Sequence, residues 1–268
     1  MKVNRRRGVA LMLALWLIVL ISILGARVVA STRSSTGLAS NIRAQVGGRY
    51  AAESGVVLGA ALVHDSLVAI TDAAARSDYL NSLAERPAHQ VEAVIGKQRF
   101  SIVYVDVNTR LDINNASQSQ LARLFSYFTG PVEAASAARA VISWIGAGDI
   151  LPGYQYGSQR SDIVYPKGTS GRPLRTLEDL RRIPGVPERV AFGAAPYLTV
   201  DGDGKINRSA ASDTVLSAAA GSLVDEPSRI LIVSRGWLDG NPLTHEIQAV
   251  YAIEGSNLVL IRWQERDL

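Results

Sequence analysis

An apolar run near the start of the chain is followed by a longer stretch without proline. Residues 9–26 carry no charge, and Ser22 is their only polar side chain. Eighteen helical residues span about 27 Å, close to the hydrocarbon thickness of a bilayer. Residues 27–64 contain no proline, so the helix is predicted to continue from the membrane to about Val63.

Apolar positions recur at helical spacing beyond that run. Their steps of three, four and seven residues are those of one helix face, which is predicted to pack on a globular head. Gly47 and Gly48 fall within this stretch and predict a bend or a frayed turn. The predicted packing face consists of Leu38, Ile42, Val46, Tyr50, Val57, Ala60 and Ala61.

The remaining patterns predict strands on either side of a block of helices. Apolar and polar residues alternate in the segments 98–108, 229–237, 243–253 and 258–263, which predicts four strands. Short turn sequences separate the last three and suit hairpins. Turn-bounded segments predict helices at 117–129, 131–146, 176–183, 187–195 and 209–219. No internal repeat is recognised.

Together these elements predict an α+β fold. If the strand at 98–108 pairs with the C-terminal strands, the helices between them form an insertion into one head. The predicted architecture is a long N-terminal helix packed on an antiparallel β-sheet, with a large, mostly α-helical insertion domain. The predicted parts are a leader at 1–8, a transmembrane part at 9–26, a first head part at 27–110, the insertion at 111–222 and antiparallel strands at 223–268.

The basic excess of the chain is confined to its N-terminus. The net charge is +4 and the isoelectric point is about 9.5. Four of the 28 basic residues (Lys2, Arg5, Arg6 and Arg7) lie within residues 1–8, and the remaining 24 equal the 24 acidic residues in number. The body of the chain is therefore neutral. The basic cluster is expected to stay on the cytoplasmic side of a membrane.

Three interpretations of the N-terminus remain open. A secretory signal peptide would be cut after Ala30, so that the mature chain begins at Ser31. An ordinary single-pass anchor would not be cut. A leader of the prepilin type would be cut between Gly8 and Val9, and this interpretation alone explains why Arg-Gly directly precedes the apolar run.

The sequence carries few groups suited to catalysis. It has no cysteine, and its three histidines (His64, His89 and His245) share no metal-ligand spacing. Neither a GxSxG motif nor a phosphate-binding loop ending in GKS or GKT is present. A non-enzymatic protein is therefore predicted.

One acidic turn has part of the pattern of a metal site. Residues 201–204 are Asp-Gly-Asp-Gly, and together with Asn207 they resemble the opening of a calcium-binding loop. The glutamate expected at position 212 is replaced by Ser212, and tight turns rich in Asp and Gly are common. Asp201, Asp203 and Asn207 are the candidate ligands, and calcium is the one candidate cofactor.

Two segments resemble helix-hairpin-helix modules, which grip the nucleic-acid backbone through amides of the hairpin. They are residues 111–117 and 183–190, and a group of arginines accompanies the second segment. This resemblance supplies the alternative function, a membrane-anchored protein for DNA binding or uptake. A neutral head would release few counterions, so a structural joint between helices is favoured and no nucleic-acid partner is expected. The arginines are Arg175, Arg181, Arg182 and Arg189.

The order of the elements and several short motifs resemble the minor pseudopilins of type II secretion called general secretion pathway protein K. The resemblance covers nearly the whole chain, and it depends on the order and spacing of the motifs together. They are Arg-Gly-Val-Ala-Leu at 7–11, Tyr-Ala-Ala-Glu-Ser-Gly at 50–55, Leu-Asp-Ile-Asn-Asn-Ala at 111–116, Leu-Glu-Asp-Leu at 177–180, Ile-Pro-Gly-Val at 183–186 and Tyr-Leu-Thr-Val at 197–200.

This resemblance implies how the N-terminus is processed. Prepilin peptidase would cut between Gly8 and Val9, and the new amine of Val9 would be methylated. Major pseudopilins carry glutamate at the fifth position after the cut, where it neutralises the N-terminal amine of a neighbouring subunit. Here that position is Leu13, which suits a subunit at the filament tip because a buried carboxylate without a partner is costly in lipid.

The resemblance also implies a place and a set of partners. The chain would be a single-pass protein of the Gram-negative inner membrane, with a pilin-like head in the periplasm. It would join the minor pseudopilins I, J and H and the major pseudopilin G, and initiate or cap the pseudopilus during protein export across the outer membrane. Family members often carry an acid-rich, calcium-associated stretch in the insert, whereas residues 143–149 here lack most of those acids.

Overall fold

The computed structural model describes residues 5–85, 91–146, 173–219 and 221–268. Within them, the structure has six α-helices and nine strands, with short 3₁₀ turns between some of them. The helices are α1 (Arg5–Ala69), α2 (Ala73–Glu85), α3 (Gln118–Phe125), α4 (Pro131–Ile145), α5 (Glu188–Ala194) and α6 (Asp213–Ala218). The strands are β1 (Val91–Ile95), β2 (Gln98–Asp106), β3 (Leu111–Asp112), β4 (Leu198–Thr199), β5 (Ile206–Asn207), β6 (Leu223–Val224), β7 (Arg229–Leu238), β8 (Thr244–Glu254) and β9 (Asn257–Asp267).

The predicted long helix is confirmed and is longer than expected. α1 has 65 residues, which corresponds to about 100 Å at roughly 1.5 Å per residue. It continues through Gly47 and Gly48 without a break, so the prediction of a frayed turn there was wrong. Both glycines are buried, and an added Cβ on Gly48 would lie 2.9 Å from the carbonyl oxygen of Gly236 on β7. The glycines therefore permit close packing.

The predicted packing face of α1 was also wrong. Leu38, Ile42, Val46, Tyr50 and Val57 are between 48% and 63% exposed, Ala61 is exposed, and Ala60 is only partly buried. Small residues decide the orientation of the helix, because they let its backbone approach the sheet more closely than large side chains would. The buried face consists of Ala44, Gly47, Gly48, Ala51, Ala52, Gly55, Val56, Gly59, Val63 and Leu67.

The antiparallel sheet forms from two distant parts of the chain, as predicted. Its five strands lie in the order β1–β2–β7–β8–β9, and β2 pairs with β7 so that Ile102 lies opposite Ser234. The alternation of β2 sends Phe100, Ile102 and Tyr104 toward α1. The α+β fold, with the long helix on this sheet, is confirmed. The sequence prediction missed β1, which forms a hairpin with β2, and it missed α2.

The elements between β2 and β7, here called the insert, have a hydrophobic core of their own. Leu121, Phe125 and Val141 lie in this core, which is separate from the clusters beneath α1. All five predicted helical segments are confirmed, although residues 177–182 form a 3₁₀ helix. Residues 147–172, which include part of the predicted acid-poor stretch, lie outside the described residues, as does His89.

Local signals in the sequence fix the ends of the two main helices of the insert. The Ser117 hydroxyl accepts a hydrogen bond from the Gln120 amide while the Gln120 side chain accepts one from the Ser117 amide, a capping box that starts α3. α4 begins with Pro131. Proline lacks a backbone N–H, and at the first position of a helix that group would have no partner within the helix. α4 ends at Gly146, whose φ of 78° lies in the left-handed region that favours glycine.

Candidate functional site

Two apolar stretches of α1 differ in what covers them. Leu38–Ala69 is long and apolar enough to cross a membrane by composition, but it buries one face on the sheet. The side chains of Met12–Arg27 are exposed along the whole stretch, including Leu13. Met12–Arg27 is therefore the stretch suited to a single membrane span, because Leu38–Ala69 is already packed on the head. Gly8 and Val9 both lie within the same continuous helix.

The apolar side chains of α1 that face away from the sheet form a second exposed surface. We call it the outer stripe, and it consists of Leu38, Ile42, Val46, Tyr50 and Val57. Scattered apolar residues are normal on a protein surface, but a row at helical spacing is typical of a contact surface. The outer stripe presents an exposed apolar surface on the head part of α1, on which another helix can pack.

On its other side α1 is held to the outer strand β9 by charged groups. The Arg49 guanidinium lies 3.0 Å from the Glu265 carboxylate, and Gln45 donates a 3.0 Å hydrogen bond to Asp267. Between these carboxylates, Nδ1 of His245 lies 2.7 Å from Asp267 and Nε2 lies 3.3 Å from Glu265. This cluster ties the end of β9 to the helix beside the outer stripe.

The carboxylates of this cluster are stabilised in their charged forms. The hydrogen bond from His245, followed by the one from Gln45, lowers the pKa of Asp267. The Trp263 indole N–H and the Arg49 guanidinium lower the pKa of Glu265. Both carboxylates are accordingly ionised at neutral pH, which keeps α1 and β9 together.

Glu246 is a buried acid that the sequence analysis did not single out. Its side chain is 0% exposed on the sheet face opposite α1, where it pairs with Arg235 at 2.7 Å and with Arg266 at 2.6 Å. Burial alone would raise the pKa of Glu246, but hydrogen bonds from Arg235, Gln248 and Arg266 hold it below its ordinary value. The pairing register of β7, β8 and β9 places Arg235 and Arg266 on either side of Glu246. This register could not be predicted from the separate strand patterns.

The junction between sheet and insert depends on one buried amide. The Nδ2 group of Asn108 donates to Asp203 at 2.9 Å and to the carbonyl oxygen of Lys205 at 3.0 Å. Its Oδ1 accepts hydrogen bonds from the backbone amides of Ser228 and Arg229, at 3.0 and 2.9 Å. Asn108 is fully buried, so this network fixes where the chain leaves β2 and where it returns to β7.

The three candidate calcium ligands lie close to this junction and are bonded to different protein groups. Asp201 pairs with Arg262 at 2.9 Å, and burial raises its pKa. Asp203 accepts hydrogen bonds from Ser228 and Asn108, and Asn207 donates to Asn81 and Asp106 at 2.8 Å each.

This arrangement does not form a ready set of calcium ligands. Among the described residues, no group of three or more His, Asp or Glu side chains is placed to hold a metal ion. Calcium prefers six or more oxygens, so Asp201 and Asp203 would have to exchange their present partners for the ion. Calcium binding stays a prediction, which calcium-dependent thermal stabilisation of the protein would test.

The second segment that resembles a helix-hairpin-helix module is a packed joint. Ile183 and Val190 are buried in the core of the insert, and Gly185 takes a φ of 92° to make the turn. Three of the four flanking arginines are ion-paired. Arg181 lies 3.5 Å from Glu188 and Arg182 lies 3.2 Å from Asp179, while Arg189 pairs with Glu133. These pairs leave few free cations for nucleic acid at this hairpin.

The insert contains a structural repeat that the sequence analysis did not recognise. Asp112 accepts a hydrogen bond from the amide two residues on, and Asn207 does the same, at 3.0 Å in both cases. Each turn leads to a helix whose N-cap is a serine, Ser117 or Ser212. The signal in the sequence is weak, because Leu-Asp-Ile-Asn-Asn-Ala-Ser at 111–117 and Ile-Asn-Arg-Ser-Ala-Ala-Ser at 206–212 share few identities.

Comparison with known proteins supports the fold at the level of structure alone. No family model matches this sequence, and no curated protein matches it. The structure is similar to one chain in the crystal structure of the GspK–GspI–GspJ complex of the enterotoxigenic Escherichia coli type 2 secretion system, with a TM-score of 0.53. The two chains are 12% identical, and the match covers 88% of this chain and 99% of the other. The protein therefore has the fold of a chain in that complex.

Proposed function

We propose that this chain is a minor pseudopilin of a type II secretion system, a non-enzymatic subunit at the tip of the pseudopilus. The observation that carries this proposal is the fold, which matches a chain of the GspK–GspI–GspJ complex over 88% of its length. A shared pilin-like head alone would leave the insert unexplained. The match extends over most of the chain, so it takes in the insert as well as the helix and the sheet.

The assembly partners follow from that complex. Counterparts of GspI and GspJ would bind this chain directly, and the minor pseudopilin H and the major pseudopilin G would follow in the filament. The outer stripe supports this arrangement, because it presents exposed apolar side chains along the head part of α1. In lipid, helices associate through close van der Waals packing, and beyond the lipid the outer stripe would bury its apolar area on neighbouring subunits.

The N-terminus would be processed as the sequence implies. Prepilin peptidase would remove residues 1–8 by cutting between Gly8 and Val9, and methylation would follow at Val9. The basic leader would keep the first residues in the cytoplasm, so that the inner membrane holds the apolar stretch and the periplasm holds the head.

Leu13 would suit the tip position. A glutamate at this depth needs the N-terminal amine of a neighbouring subunit as its partner, because an unpaired carboxylate in hydrocarbon is costly. A subunit at the tip has no neighbour beyond it. The exposed side chain of Leu13 would instead contact lipid or an adjacent apolar helix.

The experiment is to isolate the protein from the membranes of cells that express the secretion operon and to examine it in two ways. N-terminal sequencing is expected to begin at Val9, with a methylated amine. Affinity purification is expected to recover the minor pseudopilins I and J in equal amounts with the chain. A mature N-terminus at Ser31, or a processed chain that recovers neither partner, would refute the proposal.

A further inference from the structure

A cleft lies where the insert overhangs the sheet face opposite α1. Its volume is about 260 Å³, below the ~300 Å³ at which pockets for whole drug-sized ligands begin. Val105 and Leu231 form an apolar floor, and the side chain of Gln248 lies beside them. The wall on the insert side comes from residues 175–178 and 198–201. The cleft has room for a side chain and the backbone next to it.

The cleft has more hydrogen-bond donors than the protein itself uses. Arg110 and Arg175 line it, and within the described ranges neither guanidinium has an acidic partner. Arg262 pairs with Asp201 through one terminal nitrogen and donates to the carbonyl oxygen of Arg175 through the other. Its Nε atom is buried and has no partner among the described residues.

The acids of the cleft do not balance these donors. The Asp201 carboxylate is already engaged by Arg262, and the Asp106 carboxylate accepts hydrogen bonds from Asn207 and from the Asn108 amide. Glu178 is exposed, and with Asp106 and Asp201 it sets three acids against the four arginines that line the cleft. The arginines at this place would stabilise a bound anionic acceptor.

The donors extend along a strand, which favours an extended ligand. Arg262, Gln264 and Arg266 lie at alternate positions of β9 and all line the cleft. Arg262 also pairs with Asp201, and Arg266 also pairs with Glu246. At about 3.4 Å per residue they cover roughly 14 Å, longer than a single phosphate or carboxylate. β9 is the outermost strand of the sheet, next to β8, and such an edge offers backbone groups to an extended peptide.

We propose that this cleft binds an extended acidic segment of a protein partner, with a carboxylate held by the exposed guanidinium groups of Arg110 and Arg175. Arginine suits this role because its planar fork matches a carboxylate in two hydrogen bonds. The cleft lies on the sheet face opposite α1. The site is thus separate from the outer stripe, and it goes beyond the proposed packing of helices in the filament.

The test uses the full chain in detergent and fluorescence anisotropy of labelled probes at one fixed salt concentration. The first probe is a short peptide in which Glu alternates with Thr, and the matched probe replaces every Glu with Gln. The acidic peptide is expected to bind at least about tenfold more tightly. Arg175→Gln is expected to weaken its binding by about tenfold. The variant is expected to keep its fold, because Arg175 is exposed and makes no ion pair with any described residue.

Arg139→Gln is the matched control, because Arg139 is exposed on α4 and does not line the cleft. This variant is expected to bind the acidic peptide as the parent does. Equal affinity for the Glu and Gln peptides would overturn the proposal, and so would an equal loss in the Arg175 and Arg139 variants.

Labelled oligo(dT) separates carboxylate from phosphate recognition. Tighter binding of oligo(dT) than of the acidic peptide, lost in Arg175→Gln, would make the cleft a nucleic-acid site and refute the peptide assignment. If the acidic peptide binds and the mature N-terminus nevertheless begins at Ser31, the acidic-peptide site is supported and the proposed function is refuted.

Discussion

Gly48 of α1 lies directly against Gly236 of β7, with no side chain between helix and strand. An added Cβ on Gly236 would lie 2.2 Å from the carbonyl oxygen of Gly48 and 2.3 Å from the amide nitrogen of Ala52. A second close approach follows seven residues, or about two helical turns, further on, where an added Cβ on Gly55 would lie 2.1 Å from the hydroxyl oxygen of Ser234. The depth at which the helix sits on the sheet is therefore set by glycine.

Replacing Gly236 with alanine is expected to destabilise the head strongly. Because the added methyl group would meet backbone atoms of α1, helix and sheet would have to separate, at a cost of about 3 kcal/mol or more. Chemical denaturation of the full chain in detergent measures the change. Gly130→Ala is the matched control, since an added Cβ there meets nothing within 4 Å, and a loss below about 1 kcal/mol is expected. Equal losses in the two variants would contradict the close approach.

Glu246→Gln is expected to lower the free energy of unfolding by about 1–3 kcal/mol at neutral pH, because two arginines lose a charged acceptor. Since the pKa of Glu246 is below its ordinary value in the folded protein, its contribution is complete above the unfolded pKa near 4.5. It is lost as the pH falls through the lower folded value. Denaturation curves at several pH values should therefore converge for parent and variant in acid. A difference that grows on acidification would contradict this account.

Asn108→Ala is expected to loosen the junction between sheet and insert. The substitution removes the Nδ2 group that donates to Asp203 and to the Lys205 carbonyl oxygen. It also removes the Oδ1 atom that accepts from two backbone amides, and it leaves buried groups unpaired. A loss of about 2–5 kcal/mol is expected. Asn257→Ala, at an exposed position on β9, is the control and should stay within about 0.5 kcal/mol of the parent. Limited proteolysis would show whether the insert is released first.

Gly8→Phe is expected to leave a membrane-bound form that retains its leader. A peptidase that cuts between Gly8 and Val9 would have to fit the residue before the cut, and a bulky side chain there would block the approach of the backbone. Gly25→Phe lies further along the same helix, where an added Cβ meets nothing within 4 Å, and it should be processed normally. N-terminal sequencing and gel mobility distinguish the two forms. Normal processing of Gly8→Phe would count against the cut between Gly8 and Val9.

Val57→Gln is expected to weaken assembly without affecting the fold. Val57 belongs to the outer stripe and is largely exposed, so the change in stability should stay within about 0.5 kcal/mol. A glutamine would carry a polar group into a helix–helix contact and reduce the recovery of minor pseudopilin partners. Val94→Gln, also exposed but on β1, serves as the matched control. Equal recovery of partners with both variants would remove the outer stripe from the assembly surface.

Local sequence patterns predicted most of the elements because each pattern lies within a few residues. The apolar run at 9–26 and the absence of proline after it determine the long helix, and the alternation at 98–108 determines β2. The helices of the insert follow from periodicity and from end signals such as Ser117 and Pro131. β1 and α2 were missed because their segments lack strong periodicity and depend on contact with the rest of the head.

The sequence by itself determined a membrane-length helix, a neutral head and the order of strands and helices. Only the tertiary structure decided which face of α1 is buried, and it chose the small residues because glycines at positions 48 and 236 allow the backbones to meet. Only the tertiary structure likewise reveals the partners of Asn108, the ion pairs of Glu246 and the cleft between insert and sheet. The arginines that line this cleft are up to 156 positions apart in the chain. A local pattern records the hydrophobicity of each residue, whereas these sites depend on which distant residues the fold brings into contact.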